Sequence, residues 1–223
     1  MGLHRGNCGR FVRPMSLVNA IRLSRRTLPA FAIVGIYWGA FAAFVPVLKA
    51  GIGANDAEFG FAVFFSAIGS VSAMVLAPRF AALFGRFAMA IAGLGITLVF
   101  QGPPGAETIF LFSVAMLFAG ATTGLLDVVM NARLAAIEAR EKVSLMNLNH
   151  AVFSLAYALS ALATGLAREA ELGPRAVFMG LFVVSLALSL AAIQRKSERP
   201  PEERTGKDAP RLPALVWLGG GIV

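Results

Sequence analysis

Asp127 and Asn131 stand four residues apart in the stretch GATTGLLDVVMNARL, 120–134. On a helix that spacing places a carboxylate and an amide on one face. Asp127 follows a long uncharged run, whereas every other Asp and Glu lies in a polar segment. A second polar stripe opens the stretch LMNLNHAVFS, 145–154, where Asn147 and His150 are three apart and His150 and Ser154 four apart. Upstream, Tyr37 and Trp38 supply an adjacent aromatic pair. A carboxylate removed from water is less easily kept charged, so Asp127 could bind and release a proton as access to water alternates. Histidine, with a reference pKa of about 6.5, could share that task or donate a hydrogen bond. Amides beside flat aromatic faces suit a polyhydroxylated ligand. A structural reading stands beside each of these. Asp127 lies six residues before Arg133, about 9 Å along a helix, where it could latch to Arg79 or Arg86. His150, Tyr37 and Trp38 could be packing residues, and Asn147 a helix cap.

These side chains need elements to hold them, and the composition says which. Of 223 residues, 57% are hydrophobic and 14% charged, with mean hydropathy +0.74. The apolar residues fall in long blocks, which is the pattern of an all-α, polytopic membrane bundle. A bilayer core about 30 Å thick needs about 20 helical residues. Six blocks meet or approach that length: 28–48, 59–77, 86–101, 108–130, 145–167 and 175–194, the third being the shortest. They predict a six-helix transmembrane bundle over 28–194. It is preceded by a basic leader, 1–27, and followed by a charged, proline-bearing loop, 195–211. The stretch LPALVWLGGGIV, 212–223, reads as the truncated start of a seventh span, so the chain is expected to be a fragment.

Charge fixes the expected orientation. The leader carries six Lys and Arg, the second-to-third connection two, the fourth-to-fifth three and the segment after the sixth block six; Lys49, Arg168 and Arg175 are left for the other side. Seventeen against three is a positive-inside pattern for six spans with both ends cytoplasmic. It predicts a multi-pass protein of the cell inner (plasma) membrane, with the lipid bilayer as its surroundings. The same confinement of basic residues explains the pI of 10.8 without nucleic acid as a partner. Cys8 is the lone cysteine, so neither a disulfide framework nor a thiolate metal site is expected. HExxH, P-loop and CxxC patterns are absent, and no GxSxG surrounds a serine. The expectation is therefore neither an enzyme nor a cofactor or metal protein.

Local signals mark boundaries and contacts. Asn55 and Glu58 form a capping-box pattern, GPPG at 102–105 marks a turn, and LGPR at 172–175 breaks the chain before the sixth block. Membrane helices associate through small residues. Gly35 with Gly39, Gly120 with Gly124, and the stripe Ser154, Ala158, Ala161 and Gly165 predict close packing. Pro46 removes a backbone donor near the end of the first span.

Six spans with both ends inside and a long charged loop before a seventh resemble the amino-terminal half of a major facilitator superfamily transporter, built with two three-helix inverted repeats. APRFAALFGRF, 77–87, is similar to that family's loop motif: Gly85 and Arg86 match, while Pro78, Ala82, Leu83 and Phe87 depart from it. DVVMN, 127–131, and MNLNHAVFS, 146–154, resemble the fucose-permease-like branch, where an acid four before an asparagine is associated with proton-coupled sugar uptake. Phe153 stands where that branch has an asparagine, and 28–48 lacks the branch's first-span acid. The resemblance implies a small-molecule substrate, possible sugar symport, and a second six-helix half as partner. Asp127 would carry the proton, with Asn131, Asn147, His150, Tyr37 and Trp38 lining the cavity. Efflux of amphipathic compounds on the same fold, or a non-transporting membrane fragment, are the alternatives.

Overall fold

The computed structural model describes residues 15–194. The expectations for Cys8, most of the leader, the loop 195–211 and the seventh stretch 212–223 lie outside the described residues. Seven α-helices follow in order: α1 Leu17–Ser24, α2 Leu28–Gly51, α3 Asp56–Phe84, α4 Ala88–Val99, α5 Ile109–Glu141, α6 Met146–Glu169 and α7 Pro174–Ala191. Among the described residues there is no strand, and the all-α expectation holds.

The capping box at α3 forms as its spacing predicts. Glu58 N donates to Asn55 Oδ1 at 3.0 Å, and Asn55 N donates to Glu58 Oε2 at 2.9 Å. Pro174 begins α7, where its missing N–H costs nothing. Two helices outrun their apolar blocks. α3 continues past 77 to Phe84, with Pro78 inside it, and stops where Gly85 takes φ +50°. α5 continues eleven residues past 130 to Glu141. Its extension NARLAAIEARE is rich in strong helix formers and buries Arg133, Leu134 and Ile137. Hydropathy follows the bilayer and backbone propensity follows the helix, so the two boundaries need not coincide.

α4 has only twelve residues, about 18 Å of helix, extended by 3₁₀ turns at Gly85–Phe87 and Pro103–Gly105. It nevertheless crosses the bundle. At one end Gln194 N donates to Arg86 O at 3.1 Å, and Arg26 Nη1 donates to Ala191 O at 2.9 Å. At the other, Gln101 Nε2 donates to Phe178 O at 3.1 Å, and Arg175 Nη2 reaches Gly105 O at 3.4 Å. The start of α4 therefore lies with the start of α2 and the end of α7, and its end lies with the start of α7. This alternation is what six passes require.

Helices pair out of sequence order: α2 runs along α6, and α3 along α5. Lipid is as apolar as leucine, so these seams depend on close packing rather than on expulsion of water. Glycine makes the approach possible. A methyl on Gly120 would collide with the backbone of Ser66, and one on Gly124 with Ser70; across the same seam Gly69 meets Leu117 and Ala121. Gly35 and Gly39 meet the backbone of α6 at Phe153 and Tyr157. The α6 side of that seam is thus Phe153, Ala156, Tyr157 and Ser160, whose Oγ donates to Ile36 O at 2.6 Å. The expected stripe is displaced, because Ser154 and Ala158 are exposed on the other side of α6.

Pro46 lies inside α2 without ending it. Beside the interruption, Arg168 Nη1 donates to Ala43 O at 2.6 Å. The core between the helices is aromatic. Phe31, Tyr37, Phe44, Phe100, Phe112 and Phe178 are fully buried, and Phe100 stacks on Phe178 with centroids 6.4 Å apart. Phe61, Val71, Val75, Phe110, Leu155 and Val183 face outward, as lipid contact demands.

Candidate functional site

Asp127 projects from the middle of α5, about 27 Å from the first residue of that helix and about 21 Å from its last at 1.5 Å per residue. It is half-buried. Asn131 is turned back on it, with Nδ2 donating to Asp127 Oδ1 at 3.0 Å and to Asp127 O at 2.9 Å. The i, i+4 spacing thus produces the expected pair. Among the described residues, neither Arg79 nor Arg86 forms an ion pair with Asp127. Arg86 instead lies over the ring of Phe87, 4.5 Å from its centroid. Gly85 and Arg86, the matched part of the loop motif, act through the backbone: the glycine ends α3, and the arginine carbonyl accepts from Gln194.

The Asp127 carboxylate borders a pocket of about 240 Å³ lined by residues of three helices. Phe31, Val34 and Trp38 come from α2, Thr123, Asp127 and Met130 from α5, and His150 and Phe153 from α6. Phe31 lies one turn inside α2, so the pocket occupies the half of the bundle nearer the leader. Trp38 Nε1 donates to Thr123 Oγ1 at 3.2 Å, and that hydroxyl donates to Ala119 O at 2.8 Å. The indole is held at its polar edge, with Phe41 and Phe100 edge-on at 5.5 Å and 5.4 Å. His150 meets Phe31 edge-on with centroids 5.1 Å apart and is otherwise exposed. It lines the same pocket as Asp127, from the neighbouring helix α6.

Tyr37, expected beside Trp38 in the same site, faces away. It is fully buried, packs on Phe100 and Phe178 at 5.1 Å and 6.1 Å, and directs its hydroxyl to Thr97 O at 3.5 Å. Successive helical residues point about 100° apart, and here that step turns the Tyr37 ring toward Thr97 of α4 and Phe178 of α7. Asn147 is exposed in the first turn of α6 and does not line the pocket. The buried asparagine is Asn149. Its Nδ2 donates to Ser24 Oγ and to Leu145 O, both at 2.9 Å, and its Oδ1 accepts from Thr27 Oγ1 at 2.7 Å. Asn149 therefore ties the start of α6 to the α1–α2 junction, while its neighbour His150 takes the pocket side.

Glu138 also fixes this end of α6. Its Oε1 accepts from Leu145 N at 2.5 Å and Met146 N at 2.8 Å, supplying a carboxylate at a helix start, where the backbone dipole favours negative charge. Thr123 was legible in retrospect: it lies four before Asp127, so Thr123, Asp127 and Asn131 form one stripe. Chemically, the pocket offers a carboxylate, an imidazole and an aromatic wall, with the Asn131 amide bonded to the carboxylate. No group of three or more His, Cys, Asp or Glu placed to hold a metal ion occurs among the described residues.

Comparisons with known proteins agree with this architecture. The family model described as Major Facilitator Superfamily matches residues 27–219. An uncharacterized MFS-type transporter of Yersinia pestis is 32% identical over 164 residues, covering 73% of this chain and 43% of that relative. The matched part thus spans less than half of the relative's length. No solved structure matches the chain.

Proposed function

Since this chain belongs to the Major Facilitator Superfamily, we propose that its bundle is one six-helix half of a secondary active transporter. The leader end faces the cytoplasm of a cell inner membrane, in keeping with the seventeen-to-three distribution of Lys and Arg. A second half closes the open side of the Asp127 pocket. The transported solute is small and polar, a sugar being the class that the 127–131 and 146–154 motifs of the fucose-permease-like branch favour. Transport proceeds by alternating access coupled to protons.

The observation that carries this reading is the half-buried Asp127 carboxylate, bonded to Asn131 and bordering an aromatic-walled pocket rather than latched to Arg79 or Arg86. A charge held within a membrane span is costly and is usually kept for a pathway. Asp127 binds the proton, His150 modulates it from the pocket mouth, and Trp38 gives the solute a flat face. Asn131 orients the carboxylate. Asn147, exposed on the His150 side of α6, is placed to meet solute as it enters.

A second reading draws on the lining itself. Phe31, Val34, Trp38, Met130 and Phe153 are apolar, and such a wall with a flexible methionine suits efflux of amphipathic compounds. Uptake by the intact transporter under an imposed proton gradient separates the two. Saturable accumulation of a polar solute, abolished in Asp127→Asn with folding retained, supports symport. Altered resistance to hydrophobic toxins without such accumulation supports efflux. Unchanged proton-driven uptake in Asp127→Asn removes Asp127 from the mechanism.

A further inference from the structure

The eight-residue α1 has two unlike faces. Its inner face is fixed: Ala20 and Ser24 are buried, and Ser24 and the adjoining Thr27 are clasped by Asn149 of α6. Its outer face is apolar, with Leu17 64%, Val18 75% and Ile21 45% exposed. Arg22 is exposed on the flank of that face, about 40° around the helix from Val18. No acidic residue lies on α1. The chain enters the first span at Leu28, four residues after α1 ends, so α1 is held at the level where the bilayer begins.

Bulk water suits Arg22 but not three adjacent aliphatic side chains. The hydrocarbon interior suits the aliphatic side chains but not the guanidinium. The headgroup boundary suits both, with the apolar side sunk among the upper acyl carbons and the arginine reaching phosphate. We propose that the outer face of α1 is a docking surface for anionic phospholipid in the leaflet at the leader end, with Leu17, Val18 and Ile21 inserted and Arg22 bound to the headgroup. This rests on the membrane placement of the bundle and is independent of any transported solute. The Asn149 clasp keeps the helix at that depth instead of leaving it free on the leader.

The test places a fluorescent thiol label at Val18→Cys in a Cys8→Ser background, with the full chain in lipid nanodiscs. Quenching is compared for two lipids bearing a nitroxide near the headgroup, phosphatidylglycerol and phosphatidylcholine. The expected result is quenching by both, with about a fivefold preference for the anionic lipid, the size of effect ordinary for one basic residue at a charged surface. That preference should fall toward unity in Arg22→Gln, an exposed substitution outside the pocket and the core. Equal quenching by the two lipids, or a preference undiminished in Arg22→Gln, overturns the assignment. So does a label quenched by aqueous iodide and by neither lipid.

Discussion

Gly120→Ala places one methyl group where α3 and α5 touch. Its carbon would meet the carbonyl oxygen of Ser66 and stand 2.5 Å from the carbonyl carbon and 2.6 Å from the Cα. Comfortable carbon–carbon separation is about 3.5–4.0 Å, so the helices must part by about 1 Å at this level. The obstacle is backbone, and no rotamer change relieves it. Gly69 and Gly124 lie in the same seam, so their contacts open as well. The expected cost is about 3 kcal/mol, the upper part of the range for overpacked interiors, or a fall in Tm of about 6–12 °C for a chain of this size. Gly180→Ala in α7 is the control, because nothing lies within 4 Å of its added methyl; there better helix propensity should give a gain of up to about 1 kcal/mol. Thermal unfolding of both variants in one detergent reads the difference. Equal Tm values for Gly120→Ala and the parent chain would refute close backbone contact between α3 and α5. Equal losses in both variants would show that the seam contact is not the source of the cost.

Glu138→Ala should fray the start of α6, at a cost of about 1–2 kcal/mol typical of a lost helix cap. Hydrogen exchange should rise at Leu145 and Met146, and unchanged protection there would contradict the cap. Trp38→Phe keeps the ring but loses the bond to Thr123, so it should weaken solute binding severalfold, whereas Tyr37→Phe should leave binding unchanged. Calorimetry of the intact transporter checks the pair, and the reverse order would place Tyr37 on the pocket side.

Much of the bundle was legible in sequence because bilayer thickness and positive-inside charge act directly on composition. The third span shows how: α4 is too short to be convincing by length, yet without it the Lys and Arg of the later connections would be divided between the two sides. The cap at Asn55 was legible because its partner Glu58 lies within one turn, and the start of α7 because Pro174 is preset for a first helical position. Helix pairing was not. A GxxxG pattern says that another backbone comes close, but Gly120 does not name Ser66. The partner face is equally silent, so the stripe on α6 was displaced toward Ser154 when Phe153 and Tyr157 make the contact. The same gap explains the asparagines. Asn147 and Asn149 are two apart and therefore on nearly opposite faces, and only the position of α1 decides which is buried. That α1 would form was hidden as well, because eight residues inside a basic leader give too short a pattern to separate from a solvated tail.

The most direct test of the Asp127 pocket is its access to water within a bilayer. Asp127→Cys in a Cys8→Ser background leaves a single thiol at the proposed proton site. In lipid nanodiscs it should react with a charged, membrane-impermeant thiosulfonate reagent, and the Asn131→Ala background should not abolish that reaction. A thiol that ignores the charged reagent yet reacts with a lipid-soluble maleimide would put position 127 against acyl chains and contradict a proton-carrying role.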